Sequence, residues 1–457
     1  MTEERFDAIV VGAGPSGEVA AGRLADEGLS VAIVESHLVA GECSFYACMP
    51  SKALLRPGEL LSEARRVPGV SEAVTGRLDP AAVLARRDEV IHDLDDSAQV
   101  PWLEEKGIRL FRGSGRFTAE RTLEVGEVTL HADRAVIVAT GSGAAMPPIE
   151  GLADARPWNN REGTTSKVVP ESLVILGAGP VGAELAQAWS VLGSRVTLIE
   201  AGDRILGRLE AYAAEEVTAS LCEHGVDVRV GVRAEKVIRD GPMVTATLSD
   251  GAEVHAAEVL VALGRRPRTE GLGLDAAGAA PNDHGYIDVD DRMRAAGSDW
   301  LYAIGDVNGR ALLTHMGKYQ AWVATENILG RDVKGTTEAL GSPHVTFTDP
   351  QVAAVGKTLK QAQEAGINAR AVDVSTGATA GGSFYGSGTG GTTRIVVDED
   401  RKVIVGATFV GFETADFLQA ATVAVVAEVP LATLRHAVAP FPTRSEVWLK
   451  LLEEYGI

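Results

Sequence analysis

Asp7-Ala-Ile-Val-Val-Gly-Ala-Gly-Pro-Ser-Gly17 is a short apolar run that leads into a glycine-rich turn, and Leu173-Val-Ile-Leu-Gly-Ala-Gly-Pro-Val-Gly182 repeats the pattern. After each turn comes an alanine-rich stretch typical of a helix. A second apolar run then ends in an acid, Glu35 in the first copy and Glu200 in the second. This order of strand, turn, helix and strand predicts an α/β fold with two duplicated, Rossmann-like dinucleotide-binding domains.

The first turn has the spacing G-x-G-x-x-G at Gly12, Gly14 and Gly17. Gly12 permits the tight turn, Gly14 lets the backbone approach a pyrophosphate, and Gly17 lets the helix pack on the strand. The helix N-terminus then faces the negative charge, and Glu35 is placed to accept hydrogen bonds from a ribose. Because strand, helix and spaced acid accompany the glycines, the pattern favours a dinucleotide site over a chance helix start.

The second turn repeats the spacing at Gly177, Gly179 and Gly182. A carboxylate at Glu200 suits a free ribose 2′-hydroxyl and would repel a 2′-phosphate, so the sequence favours NADH over NADPH. Arg204 lies close enough in sequence to weaken that preference. Glu184 follows the turn, and its simplest interpretation is an acid in the first turn of a helix, where the helix dipole favours negative charge.

The bulk composition limits the classes of partner. The formal net charge is -20 and the pI is about 5.0, so no basic surface is available for nucleic acid or for an anionic membrane. No stretch is long and apolar enough to span a bilayer, and the polar N-terminus lacks the order of a signal peptide. The three cysteines do not form a secreted disulfide framework. We expect a cytoplasmic protein.

Two of the cysteines lie in Gly41-Glu-Cys43-Ser-Phe-Tyr-Ala-Cys48-Met-Pro-Ser-Lys52. A metal site would need further Cys or His ligands, and none occurs at metal spacing, so no metal is expected. In a regular helix five residues rise roughly 7.5 Å, more than the ~7 Å that a disulfide tolerates between Cα atoms, so bonding would require a distorted segment. From spacing alone, a redox disulfide and two small buried side chains are equally good interpretations.

Cys43-x4-Cys48-x-Pro50-Ser51-Lys52 resembles the redox-disulfide segment of the flavoprotein disulfide reductases, the class I pyridine nucleotide-disulfide oxidoreductases. Dihydrolipoamide dehydrogenase, glutathione reductase and mercuric reductase belong to that family. The resemblance covers almost the whole chain. It includes the segments Ala139-Thr-Gly-Ser142, Gly264-Arg-Arg-Pro267, Tyr302-Ala-Ile-Gly-Asp306, Leu313-Thr-His315-Met316 and Phe347-Thr-Asp-Pro350.

The resemblance implies a role for each matching residue. FAD would lie on the first turn and on Glu35, Thr140, Gly141, Gly305 and Asp306; NAD(H) would lie on the second turn and on Glu184, Glu200 and Gly264. Lys52 would sit near the reactive edge of the flavin. Electrons would pass from NADH through the flavin to a disulfide, with Cys48 as the flavin-side sulfur and Cys43 as the sulfur that exchanges with substrate.

The same resemblance implies three domains. The FAD-binding domain would comprise 1–150 and 278–335, the NAD(P)-binding domain 151–277, and a C-terminal α+β dimerisation domain 340–457. In that last domain the pattern predicts helices at Leu418–Glu428 and Ser445–Tyr455 and a long loop at Thr376–Thr393. A homodimer is expected, because in the family both subunits contribute to each active site.

The chain departs from the family near its end. The family's His-Pro-Thr segment, followed by a Glu, supplies the acid–base pair for thiol exchange in the partner subunit. Here the matching stretch is Pro440-Phe-Pro-Thr-Arg-Ser-Glu446, with Phe441 in the place of the histidine. Since general acid–base help is typically worth 10²–10⁴-fold, we expect poor turnover of small disulfides, although Glu446 remains as a catalytic candidate.

Three functions therefore stay open. The first is a disulfide-active enzyme with an unknown small-molecule acceptor. The second is an NADH-dependent diaphorase or quinone reductase that reduces its acceptor directly from the flavin, in an apolar pocket lined by Phe45, Tyr46 and Phe441. The third is a non-catalytic flavin redox sensor, which the intact second nucleotide motif disfavours.

Overall fold

A computed structural model describes residues 2–457. The helices are α1 Pro15–Asp26, α2 Gly41–Phe45, α3 Cys48–Arg66, α4 Pro80–Val90, α5 Val100–Glu105, α6 Asn160–Thr165, α7 Pro180–Val191, α8 Ala211–Glu223, α9 Thr314–Ile328, α10 Thr337–Leu340, α11 Leu359–Glu364, α12 Leu418–Val426, α13 Leu431–Leu434 and α14 Val447–Tyr455. The strands are β1 Thr2–Val11, β2 Val31–Glu35, β3 Arg109–Arg112, β4 Gly115–Ala119, β5 Thr122–Val125, β6 Val128–Val138, β7 Ser142–Ala144, β8 Ser172–Leu176, β9 Arg195–Ile199, β10 Asp227–Arg229, β11 Ala234–Asp240, β12 Met243–Leu248, β13 Glu253–Ala256, β14 Glu258–Val261, β15 Arg265–Pro267, β16 Leu301–Ala303, β17 His344–Thr346, β18 Gln351–Gly356, β19 Ala369–Ser375, β20 Thr392–Asp398 and β21 Val403–Gly411.

The chain forms two compact units. Unit 1 comprises residues 2–50, 88–145 and 264–338, and unit 2 comprises 51–87, 146–263 and 339–457. The predicted mixed α/β class is confirmed, and each unit contains one of the two strand–turn–helix–strand repeats. The three-domain boundaries given above stay a prediction.

Unit 1 is built on a sheet in the order β3-β2-β1-β6-β5-β4, with β16 beside β6. Strands β1, β2, β3, β6 and β16 are parallel, whereas β4 and β5 pair antiparallel. Both faces of β1 are buried, since Ile9 and Val11 enter one apolar cluster and Ala8 and Val10 enter the other. A parallel sheet covered on both faces explains the nearly continuous apolar run at the start of the sequence.

Unit 2 contains a second parallel sheet, β10-β9-β8-β14, and an antiparallel sheet, β11-β12-β13. Strand β8 is again buried on both faces, with Leu173 and Ile175 in one cluster and Val174 and Leu176 in another. This repeats the burial of β1, as the sequence duplication predicts.

The C-terminal part of unit 2 is a five-stranded antiparallel sheet, β17-β18-β21-β20-β19. The predicted helices are present as α12 and α14, and each is a little shorter than predicted: α12 ends at Val426, and a short 3-10 turn precedes α14. The predicted glycine-rich loop ends where β20 begins, at Thr392, and it contains a single 3-10 turn at Gly382–Tyr385. Helix and strand boundaries are the part of a pattern that local propensity specifies least.

Among residues 2–457, no helix combines the length and the apolar character needed to cross a bilayer.

Candidate active site

The first glycine turn has the geometry that a bound pyrophosphate needs. Gly12 has a φ of 107°, and a Cβ there would lie 2.4 Å from the carbonyl oxygen of Ala139. A Cβ on Gly17 would lie 1.9 Å from the oxygen of Gly12, so only glycine allows α1 to pack this closely on β1. A Cβ on Gly14 would meet nothing within 4 Å, which leaves the N-terminus of α1 open to a ligand.

Glu35 closes this turn from the end of β2. Its carboxylate accepts hydrogen bonds from the backbone nitrogens of Ala13 and His37, both at 2.7 Å. The carboxylate of Glu35 therefore stabilises the glycine turn, and it also lies where a ribose hydroxyl would bind. These two functions are compatible, because a carboxylate offers about four lone-pair sites.

The other predicted flavin residues lie at the same edge of the unit 1 sheet, since β1, β6 and β16 are parallel and their carboxyl ends coincide. Gly305 and Asp306 follow β16, and the Asp306 carboxylate accepts a 2.5 Å hydrogen bond from the hydroxyl of Ser142. Arg265 Nε lies 3.5 Å from the same carboxylate. Thr140 donates from its hydroxyl to the carbonyl oxygen of Arg268 at 2.7 Å.

Two predicted glycines lie beside this edge. Gly141 has a φ of 71°, and its carbonyl oxygen accepts a hydrogen bond from the nitrogen of Arg268. Gly264, predicted to bind NAD(H), lies in unit 1, where its oxygen accepts a 3.0 Å hydrogen bond from the nitrogen of Ala145. Unit 1 thus combines an open glycine turn, a ribose-type acid and a second carboxylate at one sheet edge. This set of groups fits FAD.

The cysteine segment is distorted as bonding would require. Helix α2 ends at Phe45 and α3 begins at Cys48, so the two cysteines belong to different helices. Both are thiols in the structure, and their side chains are hydrogen-bonded neighbours. The hydroxyl of Thr314, at the start of α9, donates to Cys43 Sγ at 3.1 Å and lies 3.5 Å from Cys48 Sγ. Of the two interpretations left by the spacing, this geometry favours a redox pair.

The surroundings of Cys43 act on its acidity in both directions. The hydrogen bond with Cys48 and then burial raise the pKa of the Cys43 thiol well above its usual range. The hydrogen bond from Thr314 and the charge of Lys318 work against that shift. Since the thiolate is the nucleophile in exchange, the groups on α9 are the ones that support reactivity at Cys43.

The second glycine turn, in unit 2, repeats the first in detail. Gly177 has a φ of 99°, a Cβ on Gly182 would lie 1.9 Å from the oxygen of Gly177, and a Cβ on Gly179 would meet nothing within 4 Å. Glu200 accepts hydrogen bonds from the nitrogens of Ala178 and Gly202, both at 2.8 Å. Unit 2 therefore presents a second open turn with a ribose-type acid.

Glu184 is not the first-turn acid that the sequence indicated. It lies in the second turn of α7, buried, and its carboxylate accepts from the ammonium of Lys52 at 2.7 Å and from the nitrogen of Phe347 at 2.9 Å. The ammonium of Lys52 also lies 4.6 Å from the centre of the Phe347 ring. The helix-dipole interpretation was wrong because Glu184 faces a cation on α3, and its predicted role toward NAD(H) stays a prediction.

The segment that replaces the family's histidine is exposed. The Phe441 side chain is 80% exposed. Glu446 accepts a 2.8 Å hydrogen bond from the nitrogen of Ala380 and so anchors the glycine-rich loop of its own chain. Phe45 and Tyr46 are buried in unit 1, so their rings do not line an open pocket as the sequence had suggested.

No cluster of three or more His, Cys, Asp or Glu side chains suited to a metal ion occurs within residues 2–457. Cys222 is exposed.

Two residues near the thiols were missed by sequence reasoning. Thr314 and Lys318 occupy neighbouring turns of one face of α9 and both act on the pKa of Cys43. The four-residue spacing of a hydroxyl and a cation at a helix start was visible in the sequence. What the sequence did not show is that this helix start meets the cysteine segment.

Comparison with known proteins identifies relatives of this chain over nearly its whole length. A family model described as pyridine nucleotide-disulphide oxidoreductase matches residues 6–326, and the model of that family's dimerisation domain matches residues 342–452. Dihydrolipoyl dehydrogenase from Mycobacterium tuberculosis is 35% identical over 96% of this chain and 96% of its own length. Mercuric reductase from Staphylococcus aureus is 29% identical over 96% of this chain and 81% of its own.

Among solved structures, the Cu(II) complex of the HOCl-induced flavoprotein disulfide reductase RclA from Escherichia coli superposes with a TM-score of 0.88. Its sequence is 25% identical, and the match covers 98% of this chain and 99% of that one.

Proposed function

The chain belongs to the pyridine nucleotide-disulphide oxidoreductase family, and on that premise we propose that it is an NADH-dependent flavoenzyme whose Cys43–Cys48 disulfide passes electrons to a small-molecule acceptor. As an oxidoreductase of this family it uses FAD and a pyridine nucleotide. The observation that supports the proposed disulfide most directly is that the Thr314 hydroxyl donates to Cys43 Sγ and also lies 3.5 Å from Cys48 Sγ. Two buried thiols with only a packing role would not need a polar group in contact with both sulfurs.

Bound FAD would supply the two-electron chemistry that connects a nicotinamide with a disulfide. The chain's own residues would bind the cofactor and position the sulfurs. The open turn at Gly14 would hold the pyrophosphate, and Asp306 would accept hydrogen bonds from the sugar-like part of the cofactor. Thr314 would keep the two cysteine sulfurs close together and stabilise whichever of them carries the negative charge.

We propose NADH rather than NADPH as the reductant. The carboxylate of Glu200 is held at the second turn by two backbone nitrogens, where it would accept from a 2′-hydroxyl and repel a 2′-phosphate. Glu200→Ser should therefore lower the ratio of kcat/KM for NADH to that for NADPH by about tenfold or more. Glu215→Gln, an exposed acid on α8, is the matched control. An unchanged ratio would show that another residue sets the preference.

The proposal includes a homodimer, since the C-terminal part of the chain matches the family's dimerisation domain. Sedimentation of the holoenzyme at micromolar concentration tests this directly. A monomer at that concentration would contradict it.

Anaerobic titration with NADH tests the disulfide. A flavin alone takes up one equivalent of NADH, whereas a flavin with a working disulfide takes up a second. We expect the second equivalent in the wild-type holoenzyme and its loss in Cys43→Ser, with FAD still bound. If Cys43→Ser and the wild type take up the same amount, the cysteine pair is not part of the electron path.

A second candidate is the diaphorase or quinone reductase, in which electrons leave directly from the flavin. Two observations favour it: the exposed Phe441 in place of the histidine, and the use of Glu446 as a loop anchor rather than as a free acid. Quinone reduction that survives in Cys43→Ser, together with loss of disulfide reduction, would establish this second route. A holoenzyme that oxidises NADH with neither acceptor would leave only the non-catalytic sensor.

A further inference from the structure

Gln320 of α9 is fully buried in unit 1, and its side chain reaches the turn that follows β16. The amide oxygen of Gln320 accepts a 2.7 Å hydrogen bond from the backbone nitrogen of Gly305 and a 2.9 Å hydrogen bond from the side-chain nitrogen of Asn308. Asp306, the predicted flavin residue, lies between these two donors in the chain. One buried amide therefore holds both ends of the short turn that carries Asp306.

The chain needs an acceptor at this point because the sheet ends there. The nitrogen of Ile304 still donates to the carbonyl oxygen of Val138 on β6, whereas the nitrogen of Gly305 bonds to Gln320 instead of a strand. An unpaired buried nitrogen is costly, so an apolar residue in place of Gln320 would weaken the turn. A Cβ on Gly305 would lie 2.9 Å from the hydroxyl oxygen of Ser16, so the turn also packs against the start of α1, where the pyrophosphate is proposed to bind.

Glu338 fixes which way the amide of Gln320 faces. The amide nitrogen of Gln320 donates to the carboxylate of Glu338, whose side chain is 7% exposed. Arg310 Nε lies 2.6 Å from the same carboxylate, and the backbone nitrogen of Arg310 donates to the side-chain oxygen of Asn308 at 3.1 Å. An ionised carboxylate only accepts, so the amide nitrogen faces Glu338 and the amide oxygen faces Gly305. These contacts form a closed ring beside the turn.

The same helix also contacts the cysteine pair. Thr314, the first residue of α9, donates to Cys43, and Gln320 follows Thr314 by six residues. Between them, Gly317 has no room for a side chain because α1 packs against it. Helix α9 thus connects the sulfurs with the turn that carries Asp306. A shift of that turn would change where a bound flavin lies relative to the sulfurs.

We propose that Gln320 is a positioning residue for FAD, which acts by holding Asp306 where its carboxylate can accept from the cofactor. This role rests on the proposed function, because it needs the flavin to lie at Asp306. It adds the buried group on which that placement depends. A glutamine that only stabilised the fold would have no effect on FAD beyond that of an equally buried glutamine elsewhere, and this difference can be measured.

The test compares two buried glutamines that each accept from a backbone nitrogen at 2.7 Å. Gln320 accepts from Gly305 in unit 1, and Gln187 accepts from Asp349 in unit 2. Substitution of either by leucine leaves that nitrogen unpaired, so both variants should have a lower thermal midpoint. We expect the Gln320→Leu holoenzyme to release FAD about tenfold faster or more, and the Gln187→Leu holoenzyme to release it within about threefold of the wild-type rate. The measurement is the free FAD that passes an ultrafiltration membrane after dilution.

A double variant separates positioning from a general loss of packing. Gln320→Glu keeps the acceptor for Gly305 but places a carboxylate against that of Glu338, and two buried carboxylates in contact do not both stay ionised. We expect this variant to release FAD about tenfold faster or more. Adding Glu338→Gln restores one donor and one carboxylate to the pair. The double variant should therefore release FAD within about threefold of the wild-type rate.

Three results would overturn the role of Gln320. They are FAD release at the wild-type rate in Gln320→Leu, equal acceleration in Gln320→Leu and Gln187→Leu, and a double variant that stays as fast as Gln320→Glu. The placement of the flavin is tested separately with Asp306→Ala. If Asp306→Ala releases FAD at the wild-type rate, the flavin does not lie at Asp306; if it releases FAD faster while Gln320→Leu does not, only the role of Gln320 fails.

Discussion

The hydroxyl of Thr314 donates a hydrogen bond of 3.1 Å to the sulfur of Cys43. Thr314 opens α9, so the bond comes from a helix start that also carries partial positive charge. Both features favour the thiolate over the thiol. Against them stand burial and the neighbouring sulfur of Cys48, which favour the neutral form. The pKa of Cys43 thus depends on two opposing sets of groups, and the groups on α9 are the ones that lower it.

Thr314→Val removes the donor while keeping the shape of the side chain. A hydrogen bond to a charged group is worth about 1.5–3 kcal/mol, so we expect the pKa of Cys43 to rise by about one unit or more. Alkylation of the reduced protein at neutral pH should slow by about tenfold, since the rate follows the thiolate fraction. Thr422→Val is the control, because the Thr422 hydroxyl donates only to a helix carbonyl in unit 2. Equal alkylation rates in Thr314→Val and wild type would contradict the role of Thr314.

Substitutions at two glycines of the first turn should distinguish an effect on folding from an effect on FAD binding. A Cβ on Gly17 would collide with the backbone of Gly12, whereas a Cβ on Gly14 would enter open space. We expect Gly17→Ala to lower the thermal midpoint and the FAD content together. Gly14→Ala should leave the midpoint of the apoprotein unchanged and lower FAD affinity alone. If Gly14→Ala binds FAD as the wild type does, the pyrophosphate does not lie at this turn.

Gly179→Ala makes the same comparison in the second repeat. This substitution should leave FAD bound and weaken the binding of NADH. The measurement is the concentration of NADH needed for half-maximal bleaching of the flavin. Loss of FAD instead would mean that the assignment of the two turns is reversed.

The sequence predicted the fold through its two repeats, because a glycine turn between a buried strand and a helix has few other uses. The buried strands β1 and β8, the turns and the acids Glu35 and Glu200 all lie as predicted. These features are local, since each depends on residues within about one repeat of each other in the chain.

What the sequence missed is what depends on distant residues. Beside its predicted role toward NAD(H), the simplest interpretation of Glu184 was an acid favoured by the helix dipole, but its partner Lys52 lies 132 residues earlier in the chain. Thr314 lies 271 residues after Cys43, and nothing in either segment specifies their contact. Phe45 and Tyr46 looked like pocket residues because apolar rings near cysteines suggest a site, yet packing with Ala40 and Ile91 buries them. Sequence patterns predict turns and the buried faces of strands and helices. They do not predict which distant residues become neighbours in the fold.

Glu18 should destabilise the protein at alkaline pH. Its pKa is about 7 in the folded chain against 4.5 for an ordinary Glu, so the folded state holds more protons than the unfolded state between these values. Stability therefore falls as pH rises from 4.5 to about 7 and stays lower above it. We expect Glu18→Gln to raise the free energy of unfolding by about 2 kcal/mol at alkaline pH and to have little effect at acidic pH.

Chemical denaturation at one pH on each side of this window measures the difference, with Glu215→Gln as the control. A Glu18→Gln protein that is less stable than the wild type at both pH values would show that Glu18 stabilises the fold through a contact.

Phe441→His tests whether the missing histidine limits thiol exchange. If the chain lacks only this acid–base group, a histidine at this exposed position should raise the rate of alkyl disulfide exchange by about tenfold or more, because general acid–base help is worth 10²–10⁴-fold. The measurement is single-turnover exchange by the reduced holoenzyme, compared between Phe441→His and the wild type. A gain of less than about tenfold would show that the absence of the histidine does not limit exchange, as expected if Glu446 serves only to hold the nitrogen of Ala380.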